Sequence, residues 1–146
     1  EKLDTSPSKG IAGESIGVTF KEDIDSGRGE VIYGEDAMPI VSDSISVNLF
    51  WLSESRLSKG DKLSLRCSTQ ETDCSVTEIG EKFDSSTLKP IMEKTSFISN
   101  AEFSKVRIST EKTIAVMPFD KVPSLGRIVF FKDRLPCAAA TVIPKR

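Results

Sequence analysis

The stretch Ser44-Ile45-Ser46-Val47-Asn48-Leu49-Phe50-Trp51 decides the fold. Ile45, Val47, Leu49 and Trp51 occupy every second position and alternate with Ser44, Ser46, Asn48 and Phe50. Successive side chains of a strand point to opposite faces, so this spacing predicts a principal strand with one apolar row on a core. A helix would need apolar residues three and four apart, and no long stretch of that kind stands out. Toward the C-terminus, the turn signal Ser58-Lys59-Gly60-Asp61 precedes Leu63, Leu65 and Cys67, which repeat the alternation. Cys74 and Val76 resume it beyond a polar tip at residues 68–73, so the segment reads as strand, hairpin, strand.

Further β-branched and aromatic runs cover residues 103–108, 113–117, 126–131 and 135–143, with Pro118, Pro123 and Pro136 at their edges. Strands at this spacing build a closed barrel or a sandwich. Residues 87–94 read as one helical turn or, because Pro90 interrupts them, as a loop or edge strand. Toward the N-terminus, residues 14–20 and 30–33 read as two strands across a polar loop, and residues 34–39 as a linker. That places a boundary near residues 37–42.

A chain of 146 residues has room for one domain, or for one domain and part of another. It starts without methionine, in mid-pattern, and reads as a piece of something longer. Its formal net charge of -2 is low for a protein that neutralises nucleic-acid phosphates, which leaves a nucleic-acid partner as the weaker expectation. No apolar run approaches the roughly 20 residues of a membrane span, and Glu1-Lys2-Leu3-Asp4 lacks the layout of a signal peptide. The expectation is a soluble, cytoplasmic protein. Cys67, Cys74 and Cys137 form no CxxC pair and read as reduced, half-buried thiols.

The sequence has no histidine, which removes the usual general base and the commonest metal ligand. Neither a GxxxxGK[ST] loop nor a GxGxxG loop is present to wrap backbone amides around phosphates. The carboxylates Glu22, Asp23 and Asp25 read as solvated loop charge rather than as an acid-base pair. Arg56, Lys59, Lys62 and Arg66 cluster around one hairpin, and Lys132 and Arg134 flank a later turn. They read as a solvated sheet face or as a patch for RNA or protein. Trp51 sits in the apolar row and reads as core. No catalytic, cofactor-binding or metal-ligating residue is assigned.

Several segments together resemble the second and third domains of translation-factor-type GTPases of the elongation factor 1-alpha branch. Residues 10–34, GIAGESIGVTFKEDIDSGRGEVIYG, resemble the end of the second domain, with Gly13-Glu14 opening a strand and Ile24 with Arg28-Gly29 at a turn. Residues 44–79 resemble the opening strands of the third domain. PSLGRIVFFKDRLPCAAATVI, residues 123–143, resembles its closing hairpin, with Pro123, Leu125, Gly126 and Arg127 forming P-x-L-G-R and Ala138, Ala139 and Ala140 on the returning strand. The resemblance implies an all-β fold, a Greek-key barrel of the translation-factor domain 3 type over residues 39–146, preceded by part of a second barrel in residues 1–38.

Within that superfamily, residues 47–79, with Trp51 and Glu54 before L-x-x-G, and residues 83–103 resemble the GTPase-type large subunit of sulfate adenylyltransferase. Phe97, Asn100 and Glu102 resemble that family's L-x-x-N-E/D element, read as a turn between strands. P-x-L-G-R is more typical of elongation factor 1-alpha and its release-factor relatives. The resemblance implies a non-catalytic fragment of a GTP-hydrolysing protein that serves sulfate activation. Its implied partners are the small adenylyl-transferring subunit and the protein's own GTPase domain. GTP and magnesium belong to that other domain, not to this chain. The alternative is a translation GTPase whose third barrel binds tRNA or a protein.

Overall fold

The computed structural model describes residues 9–24, 26–87, 89–91 and 96–143. The core strand is β1 (Ile40–Trp51), in which Ile45, Val47, Leu49 and Trp51 all point inward and are buried. It is followed by the short β2 (Leu57–Ser58) and then by the hairpin of β3 (Lys62–Cys67) and β4 (Gln70–Asp84). Next come β5 (Phe97–Ile98), β6 (Glu102–Val116), a single helical turn α1 (Pro123–Gly126), β7 (Arg127–Lys132) and β8 (Leu135–Val142).

Six strands close into an antiparallel barrel in the order β1-β6-β4-β3-β7-β8, while β2 and β5 pair apart as a flap. Strands β3, β4 and β6 run as neighbours and β7 returns to lie beside β3, which is the Greek-key connection. Closure leaves the barrel without the open edges of a flat sheet. The interior is filled by pairing large with small. Ala138 lies opposite Trp51 and Phe130, and Ala140 opposite Leu49 and Ile128. The small residues of β8 therefore make room for the rings and branched chains across from them, as the sequence leads one to expect.

Strand β6 joins the expected runs 103–108 and 113–117 into one element. Their separation in the sequence has a cause, because the register against β1 jumps from Ser42↔Ile114 to Ser44↔Ser109. Thr110 Oγ1 spans that bulge, donating to Lys112 O at 2.7 Å and to Asp43 O at 3.3 Å. The polar tip expected at residues 68–73 is shorter. Only Ser68 and Thr69 turn, and residues 70–73 continue in β4. Gln70 is buried there because its side-chain amide acts as an extra strand rung, donating to Ala115 O at 2.8 Å and accepting from Ala115 N at 2.7 Å.

Residues 89–91 of the segment read as a helical turn or edge strand lie against the end of β4, through Ile91 N to Lys82 O at 2.9 Å and Asp84 N to Lys89 O at 3.1 Å. The edge-strand alternative fits them. Leu88 and residues 92–94 of the same segment lie outside the described residues.

The strands expected at residues 14–20 and 30–33 are not formed. The turn expected at Arg28-Gly29 is present, and Gly13-Glu14, expected to open a strand, lies at a turn instead. Glu14 N donates to Ile11 O at 3.2 Å, and Glu30 N donates to Gly27 O at 3.4 Å, with Gly29 at φ 104. What is missing is a ladder, because among the described residues no partner strand runs beside either segment. A strand alone gains neither interstrand hydrogen bonds nor a covered face. Ile16, Val18 and Phe20 accordingly stay exposed.

Candidate docking surface

The three thiols are the first place to look for chemistry, and all three are buried inside the barrel rather than half-buried. Burial pushes Cys67 and Cys137 up to about 11 and Cys74 up to about 12, so each stays a protonated, unreactive thiol near neutral pH. Among the described residues no group of three or more His, Cys, Asp or Glu side chains is arranged to hold a metal ion. Glu22 and Asp23 lie exposed on the N-terminal segment, and Asp25 falls outside the described residues.

Of the basic residues read as a solvated sheet face or as a patch, Lys62 and Arg66 stand on the outer face of β3, while Arg56 lies apart at the flap. Arg66 is paired with Glu71, at 3.1 Å from Nε to Oε2, and stacks on the Phe131 ring at 4.6 Å. Arg56 stacks on Phe97 at 4.2 Å, with Lys82 on the same ring at 5.3 Å. Lys82 is buried and held by Glu102 at 3.2 Å, and Glu102 also accepts from Ser99 N at 2.7 Å. Asn100 reaches back to Leu52 O at 2.8 Å. The Phe97, Asn100 and Glu102 element is therefore the turn into β6 that ties the flap to the barrel mouth. Its Leu57 and Ile98 are fully buried beside Trp51, whose indole N–H donates to Ser55 O.

Lys62 and Lys132 do come together, on the outer face of β3, β4, β6 and β7. In register across that face stand Ser109, Ser75 and Lys62, so short hydroxyl side chains form a low floor. Ser64, which donates to Asp73 Oδ1 at 2.9 Å, extends it. Longer side chains rise around the floor and leave a groove of about 450 Å³ that Lys62, Lys132, Asp73, Glu111, Asp133 and Phe131 help to line. No linear motif announces this groove, because it is assembled by register from four strands. Only the outward alternation of serines in β3, β4 and β6 hints at it in the sequence.

At the opposite end of the barrel, α1 closes the floor. Leu125 is buried there, and a side chain on Gly126 would come within 2.3 Å of Phe119 Cα. That approach is backbone against backbone, so only glycine fits. Cys67 Sγ also reaches Leu125 O at 3.5 Å. P-x-L-G-R is thus accounted for by packing, with Arg127 stacked on Phe119 at 5.5 Å.

Among families of known proteins, the one described as GTP-eEF1A C-terminal domain-like matches residues 44–143. Sulfate adenylyltransferase subunit 1 of Aliarcobacter butzleri is 27% identical over 122 residues, covering 84% of this chain and 25% of that protein. The same-named protein of Francisella tularensis subsp. novicida is 28% identical over 124 residues, or 85% of this chain and 26% of that protein. The bifunctional enzyme CysN/CysC of Xylella fastidiosa is 24% identical over 126 residues, or 86% and 20%. The chain spans about a quarter of the length of these curated relatives. Among solved structures, sup35 complexed with GDP aligns with a TM-score of 0.67 at 14% identity, over 75% of this chain and 27% of that one. This last likeness is one of fold.

Proposed function

This chain belongs to the GTP-eEF1A C-terminal domain-like family, and from that premise we propose that it is the C-terminal β-barrel region of the GTP-hydrolysing large subunit of a sulfate adenylyltransferase. On this reading residues 39–146 are the third domain and residues 1–38 the end of the second. The barrel carries no chemistry of its own. It docks the small adenylyl-transferring subunit and the GTPase domain of the same protein, and passes the nucleotide state on as a shift in interface contacts. GTP and magnesium bind that other domain, and the complex works in the cytoplasm.

The observation that carries the reading is that relatives named sulfate adenylyltransferase subunit 1 align over 84% to 92% of this chain. A translation role rests on P-x-L-G-R, and the packing of Leu125 and Gly126 explains that motif without an RNA partner. Arg66 is paired with Glu71 and Arg56 is stacked on Phe97, which leaves fewer free cations for a phosphate-binding face.

The test is adenylylsulfate synthesis by the full-length protein with and without the small subunit encoded beside it. GTP-dependent synthesis that requires both supports the assignment. GTP hydrolysis stimulated by ribosomes or aminoacyl-tRNA, with no adenylylsulfate formed, sinks it.

A further inference from the structure

We propose that the serine-floored groove on the outer face of β3, β4, β6 and β7 is the seat of an extended, mixed-charge segment of the small subunit. This deepens the docking role given above and rests on it.

Arg66, Lys82 and Arg107 each stand within 3.3 Å of a carboxylate oxygen, of Glu71, Glu102 and Glu78 respectively. Lys62 and Lys132, which line the groove, are in no ion pair among the described residues. Asp73, Glu111 and Asp133 line the same groove, and none of these three is in such a pair either. Both signs of charge thus stand unneutralised around one depression.

The floor points to an extended chain. Ser64, Ser75 and Ser109 are short, offer hydroxyl donors and acceptors, and are only partly exposed. A polypeptide lying over them can place its backbone close to the sheet. It can also turn an acidic residue to the two lysines and a basic one to the carboxylates. A nucleic acid strand supplies one sign of charge alone and would meet Asp73, Glu111 and Asp133 as repulsion. The charge pattern therefore favours protein.

The turn beside the groove is shaped for display. Asp133 and Arg134 both adopt left-handed backbone, with φ 51 and φ 66, as a tight two-residue hairpin requires. Aspartate suits the first of those positions, whereas the second favours glycine and here carries arginine, next to an exposed Leu135. Lys132 pairs in register with Leu135, so a cation and an apolar anchor share one side of the hairpin.

The experiment uses the full-length protein, titrated with the small subunit by calorimetry. Lys62→Glu with Lys132→Glu should weaken the complex about tenfold to a hundredfold, as reversal of interfacial charge does. Arg107→Glu, on the same sheet but outside the groove, should leave it unchanged. Both lysines are exposed, so an unchanged unfolding midpoint will certify the fold of the double variant. If the wild-type protein binds the small subunit and the double variant binds equally well, the groove assignment falls while the sulfurylase reading stands. If the wild-type protein does not bind it at all, the sulfurylase reading falls. If the lysine substitutions instead abolish salt-sensitive binding of a 20-nucleotide single-stranded RNA, the groove serves nucleic acid and the proposal is overturned.

Discussion

Residues 16–20 and residues 45–51 carry the same pattern and meet opposite fates. Ile16, Val18 and Phe20 alternate as strictly as Ile45, Val47 and Leu49, but the first set is exposed and the second buried. The difference lies in what runs alongside. Strand β1 has β6 on one side and β8 on the other, whereas residues 14–20 have no paired neighbour among the described residues. Alternation states which face a strand would bury, and a ladder partner decides whether there is a strand at all. Of the large apolar side chains exposed among the described residues, Ile11, Ile16, Val18, Phe20, Ile24, Ile32, Tyr33 and Met38 all precede β1. That is the surface a preceding domain of the proposed larger protein would cover.

This contrast is sharpened first by alkali, where the largest effect is expected. All three thiols lie in the barrel and none among residues 9–38. Their folded values of about 11 to 12 exceed the ordinary thiol value of 9.0, so unfolded thiols lose protons first as the pH rises. Stability should be full below about pH 9 and fall away toward pH 11 to 12, with Trp51 fluorescence reporting the transition. Cys74→Ala should move the alkaline midpoint upward, and an unmoved midpoint would remove the thiols as the cause.

Next in size is Trp51→Ala, which empties the barrel centre and should cost about 3–5 kcal/mol in urea unfolding. Gly126→Ala should cost about 3 kcal/mol, because Phe119 offers backbone rather than a movable side chain to the new methyl group. A neutral result at Gly126 would mean that the close approach of α1 to residue 119 is wrong. Smallest is Ile16→Ser, expected to change stability by less than about 0.5 kcal/mol, since that side chain is already 54% exposed. A loss above about 2 kcal/mol would show that the N-terminal segment is packed after all.

Much of the barrel was legible because its period is local. Strands β1 and β3 announce themselves by alternation and β7 and β8 by short apolar runs bounded by turn signals, and the alanines of β8 mark where bulk must be absent. The flap was not legible, since Leu57–Ser58 and Phe97–Ile98 are two residues each and no period can be read from two positions. Gln70 read as part of a polar tip because its hydrogen bonds go to Ala115, 45 residues away. The groove was hidden for a related reason. Lys62, Ser75 and Ser109 become neighbours only once the register of three strands is fixed. The basic cluster was only partly legible, because Lys62 and Arg66 share the outer face of β3 while Arg56 stacks on Phe97 at the flap.

The most direct test of the docking account is a calorimetric titration of this chain alone against the small subunit. Saturable one-to-one binding, weakened by Lys62→Glu with Lys132→Glu, is the predicted result. No binding by this chain, under conditions where the full-length protein binds the same subunit, would contradict the assignment of docking to the barrel.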